Sequence, residues 1–151
     1  LYHSASQASS FVESDFKQPD FYIKFQKEGV GLQPTFAEGE DSVDVFTGSR
    51  ARHTLMQVCG YFAFMHYLLP RRNVPFVPLL AFDHVSSPFD KESRGAIGAI
   101  ISKFYSLVNK DDVQLFLFET EDPDTLGIVP DNYISLVSDV RTGFNPFYTV
   151  D

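Results

Sequence analysis

The chain has 151 residues, of which 44% are hydrophobic, and this composition predicts one domain with a sizeable core rather than a disordered protein. Its formal net charge of −8 makes the chain as a whole a poor binder of nucleic acid. Cys59 is the single cysteine, which excludes an internal disulfide and a cysteine-based zinc site. The most apolar run, residues 58–69, is too short to span a bilayer, so we expect a cytoplasmic protein with no membrane partner.

The first part of the chain predicts a lead-in followed by a β-hairpin. Residues 1–15 start with a stretch rich in Ser and Gln and predict a linker or a frayed lead-in, and residues 16–151 predict a single domain. Residues 20–26 are aromatic and β-branched, which favours a strand. Two glycines within residues 27–31 favour a turn, and residues 32–36 then predict the returning strand of a hairpin.

A long helix is predicted next, over residues 50–69. The segment contains no proline, and apolar side chains recur in it at helical spacing: Leu55, Val58, Cys59, Phe62, Met65 and Leu69. Its second half is apolar nearly all round, which predicts a core helix rather than a surface helix. Ser49 is placed to cap this helix, and Pro70 ends it.

A strand, a helix and a second strand follow. The apolar run from Val77 is too short for most helices and predicts a buried strand that ends in the carboxylate of Asp83. Residues 91–109 carry one apolar stripe and predict a helix, with Asp90 at its N-cap position. Residues 113–118 predict another buried strand. In such a βαβ unit the two strands are parallel.

Carboxylates lie at the predicted tips of both parallel strands. In an α/β sheet the carboxyl ends of the strands are where ligands bind, so Asp83 is placed to hold magnesium beside nucleotide phosphates. Residues 119–124 form an acidic loop after the second strand, either a metal site or, by default, a solvated loop. Residues 134–140 predict a last strand.

Three short motifs follow one another in a familiar order and spacing. They are Phe46-Thr47-Gly48-Ser49-Arg50, Leu79-Leu80-Ala81-Phe82-Asp83-His84 and Ser87-Pro88-Phe89-Asp90. Together they resemble a degenerate signature motif, the Walker B strand and the D-loop of ABC-type ATPases, more closely those of the SMC-like and DNA-repair branch. The resemblance covers residues 20–122. It implies an α/β fold that forms the C-terminal half of a P-loop ATPase head, with a parallel βαβ core and an N-terminal β-hairpin.

The resemblance also implies a site for ATP and Mg²⁺. Asp83 would bind the metal, and His84 would lie near the attacking water. The residues that would contact nucleotide are Thr47, Gly48, Ser49, Arg50, Ser87 and Asp90. In this family the signature turn of one head caps the nucleotide bound to a second head, so a dimer is expected, commonly in complexes that act on DNA.

Two departures from the family pattern keep alternatives open. None of the nine glycines is followed by Lys, so the chain has no Walker A phosphate cradle and would need a separate N-terminal Walker A half. Because the chain begins at Leu1, we expect that half upstream, beyond a coiled-coil arm. His84 stands where the family has Glu, and residues 117–121 lack the family's His. A head that has lost hydrolysis and serves as a scaffold is one alternative, and an unrelated α/β domain is another.

Overall fold

The computed structural model describes residues 1–17, 21–26, 31–36, 43–44, 49–71, 73 and 75–135. These residues form a mixed α/β structure with an antiparallel three-stranded sheet and a parallel two-stranded sheet. The regular elements are a 3₁₀ helix Tyr2–Ala5, α1 Ser10–Lys17, β1 Phe21–Gln26, β2 Gly31–Phe36, β3 Val43–Asp44, α2 Arg50–Leu68, β4 Leu79–Asp83, α3 Gly95–Tyr105, a 3₁₀ helix Lys110–Asp112, β5 Gln114–Phe118 and α4 Pro123–Leu126.

The predicted hairpin is confirmed. β1 and β2 pair antiparallel, with Phe25 opposite Leu32, and β3 pairs with the other edge of β2. The turn at residues 27–30 lies outside the described residues. The hairpin packs on α2, where the Leu32 side chain lies so close to Gly60 that a Cβ there would be 3.0 Å from Leu32 Cδ1.

The predicted long helix is confirmed as α2, and Ser49 caps it by accepting the backbone N–H of Arg52 at 3.4 Å. One face of α2 lies in the core, where the Phe62 ring stacks on Phe104 with centroids 4.4 Å apart. The expectation of a core helix holds for one face of α2 only. Three aromatic side chains of its second half are more than half exposed, namely Tyr61, Phe64 and Tyr67.

The parallel βαβ unit is confirmed as β4, α3 and β5, with Ala81 paired to Phe116. α3 begins at Gly95 rather than at residue 91, because residues 91–94 form turns. The carboxylate of Asp90 accepts the N–H of Ser93 at 2.8 Å, so Asp90 caps this turn and not the helix as predicted. α3 buries the predicted stripe through Ile97, Ile100, Ile101 and Phe104, but Leu107 lies beyond the helix and is exposed.

The prediction that both parallel strands are buried is half wrong, because burial alternates along each of them. The inward side chains pack against the core: Leu80, Phe82, Leu115 and Leu117. The others form a solvent-exposed surface, called here the outer face, which consists of Leu79, Ala81, Asp83, Gln114, Phe116 and Phe118. Half-exposed apolar side chains such as Phe118, 52% exposed, therefore lie on the same face as Asp83.

The N-terminal segment is not a lead-in, which corrects the sequence-based expectation for residues 1–15. Tyr2 is only 4% exposed, and Ala5 and Val12 are fully buried. The Tyr2 hydroxyl donates to Asp15 at 2.7 Å, and Asp15 pairs with Arg52 of α2 at 2.9 Å. These three side chains, called here the buried triad, fix the 3₁₀ helix and α1 to α2.

The described chain ends beyond α4. This short helix ends at Gly127, whose positive φ of 67° suits the left-handed C-terminal position, and it buries Leu126. The last predicted strand is not formed at Ile134 and Ser135, and its residues 136–140 lie outside the described residues. Among the helices of the described residues, none combines the length and apolar character needed to cross a membrane.

Candidate functional site

Asp83 occupies the carboxyl end of β4, the position at which α/β sheets present groups to ligands. It is paired with Phe118, the last residue of β5. The Asp83 side chain is 78% exposed and belongs to the outer face. Within the described chain its one polar side-chain contact is His84, so the carboxylate is available to bind a ligand and does not hold the following turn together.

His84 follows directly in a left-handed backbone conformation, with φ of 48°. Its N–H donates to the carbonyl oxygen of Phe118 at 2.8 Å and extends the β4–β5 ladder by one bond. The imidazole Nε2 lies 3.8 Å from Asp83 Oδ1, and the ring is about half exposed. A non-glycine residue in this region is uncommon and persists where its surroundings fix it.

Residues 83–90, called here the strand-tip turn, contain four predicted site residues: Asp83, His84, Ser87 and Asp90. The Ser87 N–H donates to the His84 carbonyl at 3.1 Å, and the Phe89 N–H donates to the Ser86 carbonyl at 2.9 Å. Val85 and Phe89 are buried and anchor the turn, whereas Ser87 and Asp90 face solvent. The turn thus exposes the side chains of Ser87 and Asp90 on an anchored backbone.

Glu119 is a residue of this site that sequence reasoning missed. It follows β5, and its carboxylate accepts both the N–H of Ser86 at 3.0 Å and the Ser86 hydroxyl at 2.6 Å. Two residues later, Glu121 pairs with Arg94 at 2.8 Å. The expectation of a solvated acidic loop is therefore wrong for these two carboxylates. The sequence did hold a signal for this contact. The carboxyl ends of two paired parallel strands must be neighbours, and Ser86 follows one predicted strand while Glu119 follows the other.

The residues of the predicted signature turn lie elsewhere. Ser49 caps α2 and Arg50 is exposed at its first turn, while Thr47 and Gly48 lie outside the described residues. In the described part of the chain, no hydrogen bond or ion pair joins Ser49 or Arg50 to the strand-tip turn. The guanidinium of nearby Arg52 pairs with Asp15 at 2.9 Å and so belongs to the buried triad.

The described residues can supply part of the ligand shell of a magnesium ion. Mg²⁺ is commonly held by one or two protein carboxylates, with water and nucleotide phosphates completing its shell. Asp83 can supply one such carboxylate, since it is exposed and free of strong partners. The described residues contain no group of three or more His, Cys, Asp or Glu side chains that could hold a metal by themselves. The remaining ligands would therefore come from nucleotide, water or another segment.

A cavity of about 400 Å³ lies at the other end of the parallel sheet, lined by residues that include Val77, Asp111 and Gln114. Leu79 lines this cavity, and the three β4 residues Leu80, Ala81 and Phe82 lie between it and Asp83. The cavity is thus separate from the strand-tip turn. Comparison of the chain with protein-family models, with curated proteins and with solved structures found no match.

Proposed function

We propose that this chain is the C-terminal half of an SMC-like, ABC-type ATPase head, which binds ATP and Mg²⁺ together with a separate Walker A half. The observation that carries the proposal is the strand-tip turn. An exposed carboxylate, Asp83, ends a strand that is parallel to its neighbour, His84 lies beside it, and an anchored turn that carries exposed Ser87 and Asp90 follows. That arrangement suits a metal held next to phosphates.

The exposure of the outer face also supports the proposal that a separate Walker A half packs on this chain. Parallel sheets occur almost only with both faces covered, and two strands alone bury little. Here Leu79, Phe116 and Phe118 are exposed on one face, and Asp83 ends that same face. A Walker A half that covered these apolar side chains would bring its phosphate-binding loop toward Asp83.

Each predicted residue has a role in the proposed head. Asp83 would hold magnesium, which when bound with ATP offsets charge on the phosphate oxygens. His84, about half exposed and 3.8 Å from Asp83, would orient the attacking water or accept its proton. Ser87 and Asp90 would face the nucleotide. Four residues are proposed to contact the nucleotide of a second head in a dimer, namely Thr47, Gly48, Ser49 and Arg50.

A second candidate is a head that binds nucleotide, has lost hydrolysis and holds proteins together. Two observations favour it. His84 replaces the usual general base, and Glu119, at the tip of β5 where the family has His, is occupied with Ser86. In either case we propose a cytoplasmic head in a complex that acts on DNA.

Nucleotide turnover by the full-length protein, or by its complex with a Walker A half, separates the candidates. We expect Asp83→Ala to lower the turnover rate by about a hundredfold or more, because the metal stabilises transition-state charge. Asp112→Ala, an exposed carboxylate change near the other end of the sheet, should leave turnover unchanged. Binding of ATP without turnover by the wild type would favour the scaffold. Equal turnover by wild type and Asp83→Ala would refute the assignment of Asp83.

Head pairing is tested separately with Ser49→Arg. This change places a long cation where the signature turn would cap a nucleotide in the second head. We expect ATP-dependent dimerisation, measured by sedimentation, to be lost while ATP binding by each head survives. Unchanged dimerisation would remove Ser49 from the proposed interface.

A further inference from the structure

We propose that Glu119 is the positioning residue of the strand-tip turn, which it holds through Ser86 so that His84 stays left-handed beside Asp83. The inference rests on the proposed function for its purpose, since Asp83 is there the magnesium ligand. The contact between Glu119 and Ser86 involves only residues of this chain, so its effect on the His84 backbone can be measured without nucleotide, a partner or turnover.

Both ends of the segment from His84 to Ser86 are fixed by two consecutive residues of the neighbouring strand. The Phe118 carbonyl accepts the His84 N–H at 2.8 Å. The Glu119 carboxylate accepts the Ser86 N–H at 3.0 Å and its hydroxyl at 2.6 Å. Because Ser86 is 2% exposed, water cannot readily replace these bonds.

The left-handed conformation of His84 needs such hydrogen bonds to residues outside the turn. Side chains other than glycine avoid this region, and a residue stays there only when its surroundings determine its backbone. The Ser87 N–H donates to the His84 carbonyl at 3.1 Å, but this bond lies within the turn and moves with it. Glu119 anchors the turn from outside. Without it, we expect His84 to relax to negative φ and its ring to leave Asp83.

The test compares four variants of the full chain by NMR. Glu119→Ala removes both acceptors, whereas Glu119→Gln removes only the charge, since its amide can accept from the Ser86 N–H and donate to the Ser86 hydroxyl. Glu121→Gln removes one charge two residues away without touching Ser86. Asp83→Asn removes the proposed metal ligand. Thermal unfolding checks that each variant folds.

The first measurement is the intraresidue NOE between the amide proton and Hα of His84, which is strong for a positive φ. We expect this strong NOE in the wild type, Glu119→Gln and Glu121→Gln, and we expect it to weaken in Glu119→Ala to the intensity of residues with negative φ. An NOE in Glu119→Ala as strong as that of the wild type would overturn the inference. Equal loss in Glu119→Ala and Glu119→Gln would also overturn it, because the charge and not the hydrogen bonds would then fix the turn.

The second measurement uses Mn²⁺ alone as a paramagnetic probe for the magnesium position. His84 signals should broaden at lower Mn²⁺ than those of the other histidines, His3, His53 and His66, and Asp83→Asn should remove this preference. If Glu119→Ala leaves the turn correctly placed in about a tenth of the molecules, about tenfold more Mn²⁺ is needed for the same broadening. Glu119→Gln should stay within about twofold of the wild type on the same argument.

Failure of the positioning role of Glu119 and failure of the metal-ligand role of Asp83 give different results. Broadening in Glu119→Ala that matches the wild type, with the preference lost in Asp83→Asn, would overturn the positioning role and leave the proposed metal ligand in place. Broadening unaffected by Asp83→Asn would remove Asp83 as the metal ligand. The positioning role would then fall with the proposed function, even where the NOE showed that Glu119 holds the turn.

Discussion

The left-handed backbone of His84 has a local cost that other contacts offset. For an L-residue this conformation is roughly 1–2 kcal/mol less favourable than the right-handed one, and histidine tolerates it better than β-branched residues do. Among the described residues other than glycine, His84 alone has a positive φ. The strain lies within the candidate site, and strained backbone tends to cluster at functional sites.

Substitutions at His84 measure that strain. We expect His84→Val to lower the free energy of unfolding by about 2 kcal/mol, because a branched Cβ clashes in the left-handed region. His84→Gly should stay within about 0.5 kcal/mol of the wild type, because glycine populates positive φ without steric cost. Urea denaturation gives both values. Lys91→Val, at an exposed turn position without positive φ, is the control, and an equal loss there would contradict the explanation.

At the scale of elements, the buried triad joins three segments that are far apart in sequence. Asp15 of α1 is 5% exposed and sits between the Tyr2 hydroxyl and the Arg52 guanidinium. The guanidinium also lies 5.6 Å from the centre of the Phe11 ring. A buried carboxylate with partners on both sides is costly to remove, because the charge left behind remains out of water.

Asp15→Ala should therefore lower the free energy of unfolding by about 3 kcal/mol or more. The matched control is Glu13→Ala in the same helix, where an exposed pair with Lys17 at 2.6 Å is lost. That change should cost less than about 1 kcal/mol. Similar losses for the two variants in chemical denaturation would show that Asp15 does not stabilise the N-terminal segment through its buried contacts.

Gly98 makes the close contact between α3 and α4. A Cβ at Gly98 would lie 2.8 Å from the carbonyl carbon of Gly127 and closer still to the carbonyl oxygens of Leu126 and Gly127. Because these are backbone atoms, the helix α4 would have to move as a unit.

We expect Gly98→Ala to lower the free energy of unfolding by about 2 kcal/mol through overpacking. Gly95→Ala in the same helix is the control, since its Cβ would meet only Ala8 Cβ at an ordinary 3.8 Å. That control should be neutral or stabilise the protein by up to about 1 kcal/mol. Equal melting temperatures for the two variants would contradict the close contact.

Local pattern was enough to predict several elements. The aromatic strands of the hairpin, the capped helix α2 and the parallel βαβ unit all follow from periodicity and turn residues. Burial depends on which elements pack against each other, and a local sequence pattern does not give this. Phe116 and Phe64 were therefore expected in the core although they are exposed. The same holds for the candidate site. Asp83 and His84 could be predicted from one strand, whereas the role of Glu119 depends on which strand lies beside it.

At the scale of the whole molecule, apolar side chains are exposed on two surfaces of the described residues. One is the outer face, and the other is the aromatic row of α2 formed by Tyr61, Phe64 and Tyr67. Contiguous exposed apolar surface commonly marks an interaction site. Under the proposed function, the outer face is the surface that a Walker A half would cover.

Global stability should fall in alkaline solution. Burial raises the pKa of the Cys59 thiol to about 12, and burial followed by the hydrogen bond to Asp15 raises the pKa of Tyr2. The unfolded chain loses these protons first, at roughly pH 8.5 for Cys and 10 for Tyr. Because the folded chain binds more protons above those values, its stability is fully present below them and is lost as the pH rises.

We expect the free energy of unfolding to fall by about 1 kcal/mol per pH unit from roughly pH 9, through the thiol, and by about twice as much per unit from roughly pH 10 to 12, where Tyr2 adds to it. Cys59→Ala should reduce this slope, because the variant has no thiol to titrate. Denaturation series in buffers of rising pH give the slopes. An identical slope for Cys59→Ala would show that the thiol ionises without unfolding the chain.

The buried triad also restricts how this sequence can diverge. Loss of Asp15 or Arg52 alone leaves the other charge buried and destabilises the protein, whereas joint replacement of such a pair by apolar side chains of similar volume is often neutral or stabilising. Any evolutionary route between the charged and apolar states, taken one substitution at a time, therefore crosses a fitness valley. Descendants of this chain are expected to keep both charges or neither, and such sign epistasis is measurable by comparing the two single variants with the double variant.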